Sequence, residues 1–168
     1  MYVRLRRLDR SFDDFVIARS AALLHTAVLL CGGDRHAGED LLQVALLRLA
    51  RHWHRGLEYP EAYVRRALVN LAQDRARDQR RRPPEAGWPD DAPFPTRTAD
   101  PSEHADLLQA VRDLPPRQRA VLVLRVWQGL SVEETAATLG CSVGTVKSYT
   151  SRALERLRQV LERSDHAY

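Results

Sequence analysis

Lysine is nearly absent from this chain. Lys147 is the only one among 26 basic residues, the rest being arginine. With alanine also abundant, that bias can follow from GC-rich coding alone, so it carries no functional weight. Cysteine is almost as scarce: Cys31 and Cys141 lie 110 residues apart, with no Cys-x-x-Cys and no histidine at ligand spacing. They read as small hydrophobes or incidental thiols rather than as metal ligands or a bridge. No apolar run approaches the roughly 18 residues of a membrane span, and no signal-like apolar stretch precedes Asp13 and Asp14. A soluble, cytoplasmic protein is expected. Glycine (8) and proline (9) are few while Ala, Leu and Arg dominate, which favours helix and disfavours an all-β fold. The chain also lacks a Gly-rich phosphate loop, a Ser-His-Asp signal and carboxylates at metal spacing. His52 and His54 would point about 200° apart on a helix and cannot share a metal. His25, His36, His104 and His166 are scattered. Neither enzymatic chemistry nor a cofactor or metal is expected.

The 168 residues suffice for one ordinary domain or two small ones. The distribution of charge says more than its total of +4. Residues 63–82 carry seven Arg and two Asp, net +5, whereas residues 83–104 carry one Arg and five acids, net −4. A basic helix end followed by an acidic spacer suits a polyanionic partner.

The most informative stretch runs from Ser131 to Arg152. Ser131 can cap a helix, and Glu134 stands where it completes a capping box. Gly140 is placed to end that helix in a left-handed conformation. Ser142 can cap a second helix with an apolar repeat at Val146, Leu154, Leu157 and Leu161. Ala136 is small where the two helices must cross. Five cues in register predict a helix-turn-helix that places its second helix in a DNA major groove.

Upstream, Ser11 and Asp14 suggest the start of a helix whose apolar set is Phe12, Phe15, Leu23, Leu24, Ala27 and Leu30. Cys31-Gly-Gly-Asp34 ends it, and Asp34 can cap a helix from about Ala37 to His54. That helix turns Leu42, Ala45, Leu46, Leu49 and Trp53 to one side and Asp40, Gln43, Leu47 and Arg51 to the other. Leu47 is either an ordinary exposed leucine or part of a docking surface. Pro60 suits the first turn of a long helix to about Arg82, with Val64, Ala67, Leu68, Leu71 and Ala72 inward. Arg66, Asn70, Gln73, Asp74 and Arg77 line its outer face, as a solvated surface or a nucleic-acid contact. Five prolines in residues 83–95 make that segment an extended linker. Beyond it, one helix starts near Ser102 and packs through Leu107, Leu108 and Val111. Another runs from Arg117 to Trp127 with Val121, Leu122 and Leu124 inward, and Gly129 breaks it. The expectation is an all-α fold: two small helical domains, 1–82 and 102–168, joined by an extended Pro-rich linker at 83–101, the second containing the helix-turn-helix.

In this order and spacing the motifs resemble a bacterial sigma factor of the extracytoplasmic function type, in the sigma-70 family, most like the actinobacterial SigE-like group. Glu39-Asp40-Leu-Leu-Gln43 resembles the segment by which the first sigma domain docks on the polymerase β′ clamp helices. Pro60-Glu-Ala-Tyr63 through Asp74-Arg75 resembles the helix that meets and melts the −10 promoter element. Leu114-Pro115-Pro116-Arg117 through Arg152 resembles the −35-reading domain. The resemblance implies polymerase contact through Asp40, Gln43 and Leu47. It implies −10 contact through Arg66, Asn70, Gln73, Asp74 and Arg77, with a base pocket completed by the loop Arg55 to Pro60. It implies −35 contact through Arg119, Gly144, Thr145, Lys147, Ser148, Ser151 and Arg152. Implied partners are core RNA polymerase (β′ clamp helices and β flap), promoter DNA and, in many members, an anti-sigma factor, with no membrane insertion. Two departures stand out. Tyr63-Val64 occupies a place where many members carry Trp-Leu, and Tyr149 one where many carry Arg. Two other functions fit parts of the pattern: a stand-alone helix-turn-helix regulator, which would need dimerisation and a palindromic site, and a polymerase-binding decoy, which would have no use for Asn70 and Asp74.

Overall fold

The computed structural model describes residues 10–81 and 103–165, so the Pro-rich segment 83–101 and Ser102 lie outside the described residues. Within them are seven α-helices and no strand: α1 (Arg10–Leu30), α2 (Arg35–His52), α3 (Pro60–Arg81), α4 (Glu103–Asp113), α5 (Pro116–Leu122), α6 (Val132–Leu139) and α7 (Val143–Asp165). A 3-10 turn, Trp53–Arg55, ends α2, and a π-helical turn, Val123–Trp127, continues α5.

α1 to α3 pack around Leu23, Ala27, Leu42, Ala45, Leu49, Val64 and Leu68, all buried. The α1–α2 crossing is close because residue 38 is glycine. A Cβ there would lie 2.7 Å from Val28 Cγ2 and 2.8 Å from the Val28 backbone nitrogen. Asp34 caps α2 by accepting from the Ala37 N–H at 2.9 Å. Ser11, expected to open α1, is already inside it, and its hydroxyl accepts from Trp53 Nε1 at 3.2 Å. Trp53 in turn meets Phe12 edge-on, with ring centroids 5.2 Å apart.

The helix-turn-helix has its expected local geometry. Ser131 and Glu134 form a complete capping box, and Gly140 ends α6 at φ 63°, in the left-handed region. The Ser142 hydroxyl accepts from the Thr145 N–H at 3.1 Å, capping α7. The buried stripe of α7 differs from the expected one. Val146 and Ala153 are fully buried and Leu157 is partly so, whereas Leu154 is 45% exposed. The side chain of Leu161 lies outside the described residues. α4 differs similarly: Leu107 and Leu108 face solvent, while Ala110 and Leu114 are buried and Val111 half-buried. In both helices the neighbour across the groove, not the count of apolar positions, selects the buried line.

The two halves pack against each other, and α5 with its π turn is the element they share. Leu122 packs with Leu114 and Ala153, and Val121 with Ala136 and Val146. Ala120, Val123 and Leu124 instead join the core of α1 to α3. The π turn closes with Gln128 N donating to Val123 O at 2.9 Å. Its extra residue shifts the helical register, so successive apolar residues can serve cores on different sides.

Candidate nucleic-acid interface

Three exposed polar faces emerge, each on its own helix. On α2, burial of Leu42, Ala45 and Leu49 turns Asp40, Gln43 and Leu47 outward. Leu47 is 59% exposed, with Val44 beside it also exposed. This is a small apolar centre edged by polar groups, the pattern of a protein-docking patch.

On α3, Val64, Ala67 and Leu68 face the core, leaving Arg66, Asn70, Asp74 and Arg77 exposed on the far side. Their spacing of four, four and three residues sets them along one line of the helix. Arg77 donates to the Asp74 carboxylate, so these two act as a pair rather than as independent contacts. Gln73, three residues after Asn70 and four before Arg77, lies on the same face but is half-buried. It borders a crevice of about 240 Å³ whose walls include Ala76, Arg77 and Arg80 of α3, Arg117 and Gln118 of α5, and Tyr149 of α7.

On α7, the capped start and the buried Val146 and Ala153 leave Gly144, Lys147, Ser148, Ser151 and Arg152 exposed. Ammonium, guanidinium and hydroxyl donors on one short helical face are the chemistry that reads base edges and phosphates. Thr145 is less available, because its Oγ1 lies 2.9 Å from the Ser142 Oγ within the cap. Tyr149 is half-buried, packing against the Val121–Ala136–Val146 cluster. The residue that departs from the resemblance therefore has a packing role.

Arg119 does not join that face. Its guanidinium is half-buried between the ends of two helices and donates to Leu30 O at 3.1 Å, Arg112 O at 2.8 Å and Leu114 O at 3.0 Å. Burial lowers its pKa from the usual guanidinium value. Beside it, burial pushes the Cys31 thiol up to about 11, against a smaller opposing pull from Arg75.

Several residues of these surfaces escaped sequence reasoning. Tyr59, in the loop before α3, is 68% exposed and presents an aromatic face next to the start of that helix. Val69 is fully buried although it lies off the Val64–Leu68–Leu71 stripe. Its own apolar, β-branched side chain was its only signal. His25 and Trp127 stack across the seam with centroids 4.2 Å apart, a pairing that no local pattern announces. Among the described residues no group of three or more His, Cys, Asp or Glu is arranged to hold a metal ion, and no helix is long and apolar enough to cross a membrane.

Comparison with known proteins matches residues 16–82 to Sigma-70 region 2 and residues 104–157 to Sigma-70, region 4. The chain is 41% identical to the RNA polymerase sigma-E factor of Streptomyces avermitilis over 164 residues, covering 92% of this chain and 87% of that protein. It is 43% identical to the RNA polymerase sigma-E factor of Streptomyces antibioticus, covering 92% and 86%. Among solved structures it is similar to the sigma factor RpoE of Bartonella quintana, crystallised with the anti-sigma factor NepR. That similarity has a TM-score of 0.70 at 25% identity and covers 92% of this chain and 98% of that one.

Proposed function

The chain belongs to the sigma-70 family, as a sigma factor of the extracytoplasmic function class, and on that premise we propose which surface does what. The protein binds core RNA polymerase and directs initiation of transcription at promoters. In our reading residues 1–82 form the domain that docks on the β′ clamp helices and meets the −10 element. Residues 83–101 form the linker, and residues 102–168 the domain that meets the β flap and reads the −35 element. Leu47, with Asp40 and Gln43, is the polymerase contact. Arg66 and Arg77 hold phosphates of the −10 strand, while Asn70 and Asp74 contact bases that leave the stack; Gln73 contributes from the crevice side. Base extrusion costs a few kcal/mol, which these contacts and the loop Arg55 to Pro60 offset.

The observation that carries the reading is the exposed face of α7. Lys147, Ser148 and Ser151 can reach base edges across Gly144, where the absence of a side chain lets the backbone approach. Arg152 reaches phosphates, and Thr145, tied into the α7 cap, borders that contact. The work is binding, not catalysis; it needs no cofactor and belongs in the cytoplasm with the polymerase. An anti-sigma factor is a further partner, as for the Bartonella relative. Nothing observed favours a stand-alone regulator or a decoy. The test is in vitro transcription with core polymerase on genomic DNA, with transcript starts mapped. A set of starts sharing −35 and −10 sequences supports the reading. Starts identical to those of core polymerase alone refute it.

A further inference from the structure

Two adjoining cavities lie between the end of α3 and the corner where α4 meets α5. The larger, of about 420 Å³, and the smaller, of about 240 Å³, share Ala76, Arg80, Pro115 and Pro116 as walls and so form one groove. The larger cavity gathers Arg75, Arg80, Arg112 and Arg119 against only Asp34 and Asp113. Little of that positive charge is neutralised. Arg112 and Arg119 donate to the carbonyls of Gly32, Leu30 and Leu114, which carry no net charge. Arg75 stands 3.7 Å from Asp34, at the long end of an ion pair, and Asp113 accepts from Gln109. The smaller cavity has Arg77, Arg80 and Arg117 in its walls and no carboxylate. Arg77 is engaged by Asp74, but Arg80 and Arg117 have no hydrogen-bond or ion-pair partner among the described residues.

Gln118 adds a different kind of group. It is only 8% exposed, its Oε1 is buried without a hydrogen-bond partner, and it stands in the wall of the smaller cavity. Buried acceptors are normally paired, and leaving one unpaired is costly. A half-turn of the amide presents either Oε1 or Nε2 to the crevice, so this side chain can meet a ligand edge that carries a donor beside an acceptor. Purines have such an edge, and glutamine pairs with adenine N6 and N7 in this way. Tyr149 is the one aromatic residue lining the same cavity, with Ala76, Pro115 and Pro116 as apolar walls. A flat ring with a donor–acceptor edge, joined to several negative charges, is the chemistry of a nucleotide. We propose that this groove binds a purine nucleoside di- or triphosphate, with the base at Gln118 and Tyr149 and the phosphates on Arg75, Arg80 and Arg112.

Size and placement agree with that occupant. Small-molecule sites run from about 300 to 1,000 Å³, the range into which the groove falls. Arg80 lines both cavities and so stands where the phosphates follow the sugar. Arg75 and Arg80 come from α3 and Arg112 from α4, so guanidinium forks meet the phosphate oxygens from two sides. A nucleic-acid strand fits less well, because a groove that tracks a strand offers stacking places for successive bases, and Tyr149 offers one. The site is additional to promoter recognition: Arg80, Arg117 and Gln118 have no part in the promoter contacts proposed above.

The test is isothermal titration calorimetry of the full chain with ATP, GTP, CTP and inorganic triphosphate. ATP or GTP should bind at one site with a Kd below about 1 mM, and inorganic triphosphate about tenfold more weakly or worse. Arg80→Ala with Arg117→Ala changes two exposed residues and should leave helix content unchanged by circular dichroism. That double variant should bind the better purine nucleotide about tenfold more weakly, because charge-assisted contacts to phosphate are lost. Gln118→Met should weaken the purine nucleotide and leave triphosphate binding unchanged. If that buried substitution lowers helix content, wild type itself reports base reading, since CTP should then bind more weakly than the purine. A folded wild type that binds neither ATP nor GTP saturably overturns the site, as does a folded double variant with unchanged affinity. Triphosphate binding as tightly as the nucleotides would mean an adventitious ion only. A single-stranded DNA of about 12 nucleotides that loses as much affinity in the double variant as the purine does would assign the groove to a strand instead.

Discussion

Leu47 offers the sharpest perturbation of the docking surface. Its side chain is 59% exposed in the free protein, so a partner can still bury more than half of it. Fully burying a leucine is worth about 1.5–3 kcal/mol, and the remaining share corresponds to roughly 1–2 kcal/mol on binding. Leu47→Ala should therefore weaken the affinity for core polymerase by about 5- to 30-fold. Leu47→Glu loses the same burial and also forces an unpaired carboxylate against the partner, a penalty of several kcal/mol that should weaken binding beyond about 100-fold. Neither change should alter folding, because substitutions at exposed positions usually shift stability by less than about 0.5 kcal/mol. Affinity measured by titrating labelled core polymerase, with circular dichroism as the folding control, decides the matter. A folded Leu47→Glu protein that binds core polymerase as tightly as wild type would show that α2 presents an ordinary exposed leucine.

Asn70→Ala should leave the closed complex intact and slow strand opening, read as permanganate reactivity of −10 thymines; an unchanged opening rate moves the melting role off α3. Asp74→Ala should do the same, with an added effect because it releases Arg77 from its ion pair. Lys147→Ala should relax preference at one or two −35 positions by about 1–3 kcal/mol, whereas Arg152→Ala should weaken all sequences alike and flatten the salt dependence; a uniform loss from Lys147→Ala would make it a phosphate clamp. Gly38→Ala should destabilise the fold by about 1–3 kcal/mol in denaturant titrations, because the new Cβ meets Val28 backbone that cannot move aside. Cys31 makes stability pH-dependent. Burial raises its folded pKa from the ordinary thiol value of 9.0 to about 11, so its contribution is complete below pH 9 and declines as pH rises toward 11. Cys31→Ala should flatten that decline, and identical pH profiles would refute the burial argument.

Much of this protein was legible residue by residue wherever the cause was local. Ser131, Glu134 and Gly140 specify a cap, a box and a stop through backbone bonds three to five residues away, and the helix-turn-helix forms as they require. The inward stripe of α3 and the outward Asp40–Gln43–Leu47 face of α2 follow from helical period alone, since one side must be buried. The sequence could not say which apolar line wins when a helix carries two. Leu107, Leu108 and Leu154 are exposed while Ala110 and Ala153 are buried, because close helix crossings favour small residues and only tertiary packing decides where helices cross. Val69 and Arg119 illustrate the same limit at longer range. Val69 is fully buried and Arg119 is held at the end of α1 because the second half folds back onto the first, 89 residues separating Arg119 from Leu30. No periodicity encodes that return. It depends on a register shift at the π turn and on unpaired carbonyls at a helix end, both of which exist only once the chain has packed.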